Sequence, residues 1–263
     1  MNEFISENIQ DNILRVTLNN PSTQNTLSLD MIRRLQTVFE NADKNHDIKV
    51  IILASSGKIF CAGHNLKEIN NHRSDPDKGL GFFTILINSC SELMLTILHN
   101  SKPVIAEVNG VATAAGCQLV ASCDLAYASA NAKFATPGVN IGLFCSTPMV
   151  ALSRAVKNKH SMEMLLTGDL ISSSKAAEIG LINKMINDDA LQNFVLERAL
   201  KISKKSAMTL KIGKEAFYKQ INMTLSEAYD YASNVMVENM LKLDAEEGIN
   251  AFIDKRTPNW QDK

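Results

Sequence analysis

The stretch Pro103 to Ala128, PVIAEVNGVATAAGCQLVASCDLAYA, decides the fold. It opens on an apolar run, Pro103 to Val108, that enters the turn pair Asn109-Gly110. Small residues follow, then an apolar segment of helical character from about Ala115, then another apolar run from Asp124 to Ala128. Strand, small-residue loop, helix and strand in such quick succession predict an α/β unit with parallel neighbours.

Working outward, Ile13 to Leu18 reads as a strand that Asn19-Asn20-Pro21-Ser22 breaks, and a helical pattern runs from about Leu29 to Ala42. Val50 to Ala54 is a further apolar run, entering Ser55-Ser56-Gly57, and a helical pattern from about Phe82 to Leu98 separates it from Pro103. Beyond about Ser146 the spacing is helical with little strand character: Met149–Val156, Ser161–Thr167, Ala190–Ile202, Leu210–Tyr218 and Leu225–Leu243. In the last of these Leu225, Ala228, Ala232, Val235, Met236 and Met240 form one apolar stripe, suited to core or subunit packing. With no internal repeat and no Gly/Ser-rich linker, the expected organisation is an α/β core over residues 1–200 and a helical region over 201–263.

Composition narrows the function classes. A chain of 263 residues, 45% hydrophobic, can bury a sizeable core. Its 27 Lys plus Arg stand against 28 Asp plus Glu, so no global field favours nucleic acid or an anionic membrane, and neither is an expected partner. Five cysteines without a C-x-x-C pair, in mostly apolar surroundings, read as reduced core thiols; Cys145, with no paired base in sequence, reads as a packed one. The opening MNEFISENIQDN has neither a basic region before an apolar run nor an Arg-rich transit pattern, which predicts a cytoplasmic protein. The apolar stretch Val104 to Ala128 is broken by Glu107, Asn109, Gln118 and Asp124, so it is not expected to span a membrane. His46, His72, His99 and His160 are scattered without ligand spacing, and no metal site is expected.

Two glycine-containing loops follow apolar strands, Phe60 to Glu68 (FCAGHNLKE) and Asn109 to Cys117 (NGVATAAGC). Ligands of open α/β sheets collect where loops leave the carboxyl ends of strands, so both loops could face one crevice. Their small side chains leave backbone N–H groups uncovered. One donor from each loop could converge on a carbonyl oxygen, aided by the dipole of a helix starting near Ala115, although the same residues also suit tight turns and close helix packing. Neither loop matches the dinucleotide or P-loop pattern.

The runs IFCAGHNLKEI (59–69), KPVIAEVNGVATAAGCQLVASCDLAYAS (102–129), LLTGDLISSSKAAEIGLINK (165–184) and EGINAFIDKRTPNW (247–260), with LNNPSTQNTLS (18–28) before them, resemble the enoyl-CoA hydratase/isomerase (crotonase) family. The resemblance covers nearly the whole chain. It implies a crotonase-like spiral of β-β-α units with C-terminal helices that form a homotrimer, often paired into a homohexamer. It also implies an acyl-CoA thioester as ligand, with coenzyme A part of the substrate and no separate cofactor. The oxyanion-hole N–H groups would come from His64 and Ala115. The backbone of Ala62, Asn65 and Leu66 would line the adenine side, Lys67 would also bind substrate, Thr26 and Leu27 would lie along the CoA channel, and Phe252 and Lys255 would reach the nucleotide from the next subunit.

The chain departs from the family pattern where hydratases carry their two glutamates. The first position reads Gln118, in GCQL, and the second reads Gly138, in FATPG. Glutamine can hold a water but cannot take its proton, and glycine has no side chain. Hydration by the usual acid–base pair is therefore not expected; Glu107 reads as a strand-end or salt-bridged residue and Asp124 as the start of the next strand. The AGHNLKE motif with the C-terminal EEGINAFIDKRTPN also resembles a branch of the family that decarboxylates malonyl-type thioesters, a reaction that needs no base to start. The expected function is an acyl-CoA-binding protein classed with enoyl-CoA hydratases that stabilises a thioester enolate; the alternatives are a non-catalytic acyl-CoA binder and a malonyl-type decarboxylase. A relative that binds RNA through a lysine-rich helix has no match here, since the corresponding helix offers only Arg33 and Arg34 together.

Overall fold

The computed structural model describes residues 4–263. The first three residues of the opening segment, and so the very start of the expected 1–200 unit, lie outside the described residues. The hairpin β1 (Ile5–Gln10) and β2 (Ile13–Leu18) turns on Asp11 and Asn12, both at positive φ, and leads to α1 (Leu29–Lys44). Ser28 starts this helix by accepting the Met31 N–H, which satisfies one of the donors a helix start leaves free. Leu35, Val38, Phe39 and Ala42 form its buried face.

Three turns of a spiral follow. β3 (Val50–Ser55) and β4 (Ile59–Cys61) precede α2 (Leu66–Asn71) and α3 (Leu80–His99). β5 (Val104–Val108) and β6 (Val111–Thr113) precede α4 (Ala115–Ser122), and β7 (Leu125–Ser129) and β8 (Lys133–Ala135) precede α5 (Ser146–Ala155) and α6 (Asn158–Thr167). β9 (Ile171–Ser172), α7 (Ser173–Glu178) and β10 (Lys184–Ile186) close the sheets. α8 (Leu191–Ser203), α9 (Ala207–Gln220), α10 (Leu225–Met240) and α11 (Leu243–Ile253) complete the chain. The long first strand of each turn enters a six-stranded sheet ordered β1-β2-β3-β5-β7-β10, and the short second strand enters a four-stranded sheet ordered β4-β6-β8-β9. This is the crotonase-like β-β-α spiral with a helical C-terminal region.

β3 and β5 are buried and, Glu107 apart, largely apolar because both faces of the sheet are covered, a pattern of parallel strands. α1 and α3 pack on one face of the sheet and α8 on the other, where Val195 and Ala199 meet Ile52 and Ile105. α8 therefore runs across the expected 200/201 boundary. After Ser146 there is little strand, as expected, β9 having two residues and β10 three, whereas the short strands β4, β6 and β8 have no counterpart in the sequence pattern. Strands of two or three residues contain barely one period of alternation, so no periodic signal can mark them. β1 was missed because its ISENIQ lies on the sheet edge with five of its six residues exposed.

The stretch 103–128 is strand, strand, helix and strand, not one apolar helix. Among the described residues α3 is the one helix long and apolar enough to cross a membrane by length and composition, and its Leu86, Cys90, Leu93, Met94 and Ile97 lie in the core. All five cysteines are free thiols, four of them buried and Cys123 half-buried. α10 buries none of its residues within the chain: Leu225, Met236 and Met240 of its apolar stripe are exposed.

Candidate functional site

The two small-residue loops do not leave the long strands directly. They leave β4 and β6, which run parallel to each other, and β8 lies parallel on the other side of β6. Parallel neighbours end on the same edge, so the segments around His64, Ala115 and Gly138 emerge side by side.

His64 forms an isolated parallel bridge with Leu27. Its two ladder bonds run from the Leu27 N–H to the Gly63 carbonyl (2.8 Å) and from the Asn65 N–H to the Leu27 carbonyl (3.4 Å). In such a bridge the intervening residue turns its own N–H and C=O to the opposite side. No acceptor among the described residues takes the His64 N–H. The imidazole Nδ1 lies 3.3 Å from the Leu27 carbonyl, which can only accept, so Nδ1 carries the hydrogen. Burial lowers the pKa of this histidine, against the opposing pull of that hydrogen bond, and the ring is neutral at physiological pH. Its Nε2 is buried without a partner.

Across from it, α4 begins at Ala115, and no acceptor among the described residues takes the N–H groups of Ala115, Gly116 or Cys117. These are the free donors every helix start presents, at the positive end of the dipole. The loops touch. A Cβ placed on Gly63, whose φ is +89°, would lie 2.9 Å from Ala114 Cβ and 3.3 Å from the Ala115 nitrogen. The Thr113 hydroxyl donates to the Ala62 carbonyl at 3.2 Å, and the Ala114 N–H to the Ala135 carbonyl at 2.9 Å. Ala114 sits at φ 50°, ψ −118°, a conformation that favours glycine. Strain of this kind costs about 1–3 kcal/mol and persists only where surrounding structure enforces it. Ala114→Gly is accordingly expected to stabilise the protein by about 1 kcal/mol, strain relief exceeding the added unfolded-state entropy; a calorimetric Tm below that of the native chain would contradict this.

Gln118 lies one helical turn beyond Ala114, whose carbonyl accepts its N–H at 3.0 Å. Helical side chains lean back over the preceding turn, which directs its carboxamide toward the start of α4. The residue is only 4% exposed, Oε1 is buried without a partner, and no described residue bonds the amide nitrogen. Thr136, which follows β8 beside Ala114, is fully buried with Oγ1 likewise unpartnered. Gly138 has no room for a side chain: its Cβ would lie 2.7 Å from the Leu143 carbonyl oxygen and 2.9 Å from Cys145 Sγ. That sulfur accepts the Gly138 N–H at 3.4 Å. The place of the absent side chain is thus filled by the Cys145 thiol, which sequence reasoning treated as mere packing; no sequence signal could have paired the two.

The carboxylates nearest in sequence are committed elsewhere. Arg15 donates to both oxygens of Glu107 at 2.8 Å, as its reading as a salt-bridged strand residue requires. Asp124 accepts from the Val104 N–H (2.7 Å), Lys214 Nζ (2.7 Å) and the Tyr218 hydroxyl (2.9 Å), which ties α9 to the core. Glu68 faces the Leu29 N–H at 3.3 Å. The atoms around the start of α4 are consequently neutral donors and acceptors.

The other anticipated residues are placed unevenly. Ala62, half-buried, donates its N–H to the Gln24 carbonyl, and Asn65 starts α2 by accepting from the Lys67 and Glu68 N–H groups; Leu66 and Lys67 are exposed beside it. Thr26 is half-buried next to this loop. Leu27 is fully buried, and its N–H and C=O are engaged by Gly63 and Asn65. Phe252, 86% exposed, and Lys255 sit at the end of α11 without a hydrogen bond to either loop. A cleft of about 470 Å³ between α3 and α9, lined by His99, Lys211, Lys214 and Tyr218 among others, shares no residue with these loops.

Fold and motifs together define a crotonase-fold protein, and the chain belongs to the enoyl-CoA hydratase/isomerase family, whose model matches residues 8–263. It is 46% identical over 251 residues to the enoyl-CoA hydratase domain-containing protein 3, mitochondrial, of Rattus norvegicus, a match covering 95% of this chain and 82% of that one. The Homo sapiens counterpart is also 46% identical, over 95% of this chain and 81% of its own length. Among solved structures, human enoyl coenzyme A hydratase domain-containing protein 3 superposes with a TM-score of 0.93 at 44% identity, covering 98% of this chain and all of that one. An enoyl-CoA hydratase from Mycobacterium smegmatis gives 0.93 at 40%, covering 98% and 99%. The cytoplasmic expectation is corrected by these relatives, which are named mitochondrial. Compartment is set by a receptor-read address, which charge balance and cysteine usage in the folded domain do not encode.

Proposed function

We propose that the protein binds acyl-CoA thioesters and holds enolate-like negative charge on the thioester oxygen between the N–H groups of His64 and Ala115. One observation carries this reading: two unspent backbone donors on touching loops, one of them at the positive end of α4. Ala62, Asn65, Leu66, Lys67 and Thr26 would take the coenzyme A moiety, and Phe252 and Lys255 would serve the neighbouring subunit's ligand. The exposed apolar residues of α10 and α11 support a homotrimer or homohexamer in which such sharing occurs, and the names of the relatives support a mitochondrial setting.

Hydration by an acid–base pair is disfavoured. Each positioned acid or base contributes about 10²–10⁴-fold, and Gln118, Gly138, Glu107 and Asp124 supply none in the free state. The neutrality of the surroundings favours a second reading, decarboxylation of a malonyl-type thioester. There the bond to the carboxylate breaks, CO₂ departs, and the electron pair it leaves forms the enolate without any base. The purified protein would be incubated with crotonyl-CoA and methylmalonyl-CoA, following hydration and CO₂ release, with CoA-ester binding measured by calorimetry. Binding with CO₂ release and negligible hydration is expected. Binding with neither reaction would make the protein a non-catalytic acyl-CoA binder, and rapid hydration surviving Gln118→Ala would overturn the account of the missing base.

A further inference from the structure

We propose that the Cys145 thiol is the proton donor of this site, delivering its hydrogen to the α-carbon of an enolate held by His64 and Ala115. The inference rests on the enolate reading above. Three observations locate it. Cys145 Sγ stands 2.9 Å from where a Gly138 side chain would begin, on the edge where β4, β6 and β8 end. Cys145 starts α5, which packs along α4, the helix that carries Cys117 and Gln118. Gln118, on the helix that packs along α5, and Thr136, two residues before Gly138, are each more than nine-tenths buried and hold polar atoms that no protein group satisfies. Leaving such atoms buried and unmatched is costly, so each calls for a hydrogen-bonding occupant.

A thiol suits protonation here, and a carboxylate would not be needed. Burial raises the Cys145 pKa above its ordinary value, with the Gly138 N–H opposing, so the group is fully protonated at neutral pH. Cys117 is the titratable neighbour and is itself a buried, neutral thiol. In the forward step the S–H bond breaks and a C–H bond forms at the α-carbon, using the electron pair of the enolate double bond; the thiolate left behind takes a proton from water. In reverse, the thiolate removes an α-proton from a bound saturated acyl-CoA and the electron pair moves to the thioester oxygen.

That reverse step makes the test independent of any particular turnover reaction. Propionyl-CoA would be incubated with the protein in deuterated buffer over pD about 7–10, bracketing ordinary thiol ionisation, and α-deuterium incorporation read by NMR, with calorimetry of propionyl-CoA binding alongside. The native protein is expected to catalyse exchange that rises with pD. Cys145→Ala, and the near-isosteric Cys145→Ser as a guard against misfolding, should bind the ester as tightly but exchange at least about 100-fold more slowly. Tight binding with no native exchange, or exchange that persists in both variants, would overturn the assignment while leaving the binding reading intact. Failure of propionyl-CoA to bind at all would sink the binding reading and this inference with it.

Discussion

Gly116→Ala is expected to lower stability and acyl-CoA binding together. In an unhindered helix this exchange stabilises by about 0.5–1 kcal/mol, because alanine loses less backbone entropy. At Gly116 the added Cβ would lie 2.1 Å from the Cys61 carbonyl oxygen, 2.8 Å from its carbonyl carbon and 2.9 Å from its Cβ. Two of these atoms are backbone at the end of β4, whose pairing with β6 prevents their retreat. Relief must come from moving α4 off the second sheet. Overpacking of this kind costs about 1–3 kcal/mol or more, which exceeds the propensity gain and predicts a Tm lowered by about 5 °C in a chain of this size. The same movement carries the Ala115 N–H away from His64, so calorimetry should show CoA-ester affinity at least about tenfold weaker. A variant with native Tm and native affinity would show that α4 does not rest on β4 as described.

Glu107→Ala should be strongly damaging, through stability alone. The bidentate Arg15–Glu107 pair spans β2 and β5 across β3, with the Glu107 side chain 9% and the Arg15 side chain 21% exposed. Removing one partner of a buried pair costs about 3–5 kcal/mol because the other charge is stranded; the partial exposure of Arg15 reduces this to about 2–4 kcal/mol. Replacing both, in Arg15→Met/Glu107→Leu, should recover most of the loss, since apolar groups of similar size strand no charge. Chemical denaturation of the two single variants and the double would measure the coupling. If Glu107→Gln instead abolished turnover while the denaturation midpoint stayed native, Glu107 would be acting in the chemistry and the structural role would be refuted.

Much of this molecule was legible because its signals are local. The FCAGHNLKE and NGVATAAGC loops are short runs of small residues whose uncovered donors follow from composition, and the Gln118 and Gly138 departures are single letters. Long strands such as β3 and β5 announce themselves as apolar runs, and α1 by its periodicity. The strands from which the loops actually depart, β4 and β6, have three residues each and left no pattern. Helical spacing likewise reveals the amphipathic face of α8 without saying which sheet will cover it.

The amino-acid sequence by itself determined the family resemblance, the α/β units, the two small-residue loops and the absence of the paired carboxylates, since each resides in contiguous residues; the spiral entered only as what that resemblance implies. Only the tertiary structure decided that Glu107 and Asp124 are spent on Arg15, Lys214 and Tyr218, that Leu27 is sealed in the core, and that the Cys145 sulfur fills the space beside Gly138. Those outcomes depend on which groups share one small volume, and hydrogen-bond pairing and steric exclusion there join segments that only the folded chain brings within a few ångströms of each other.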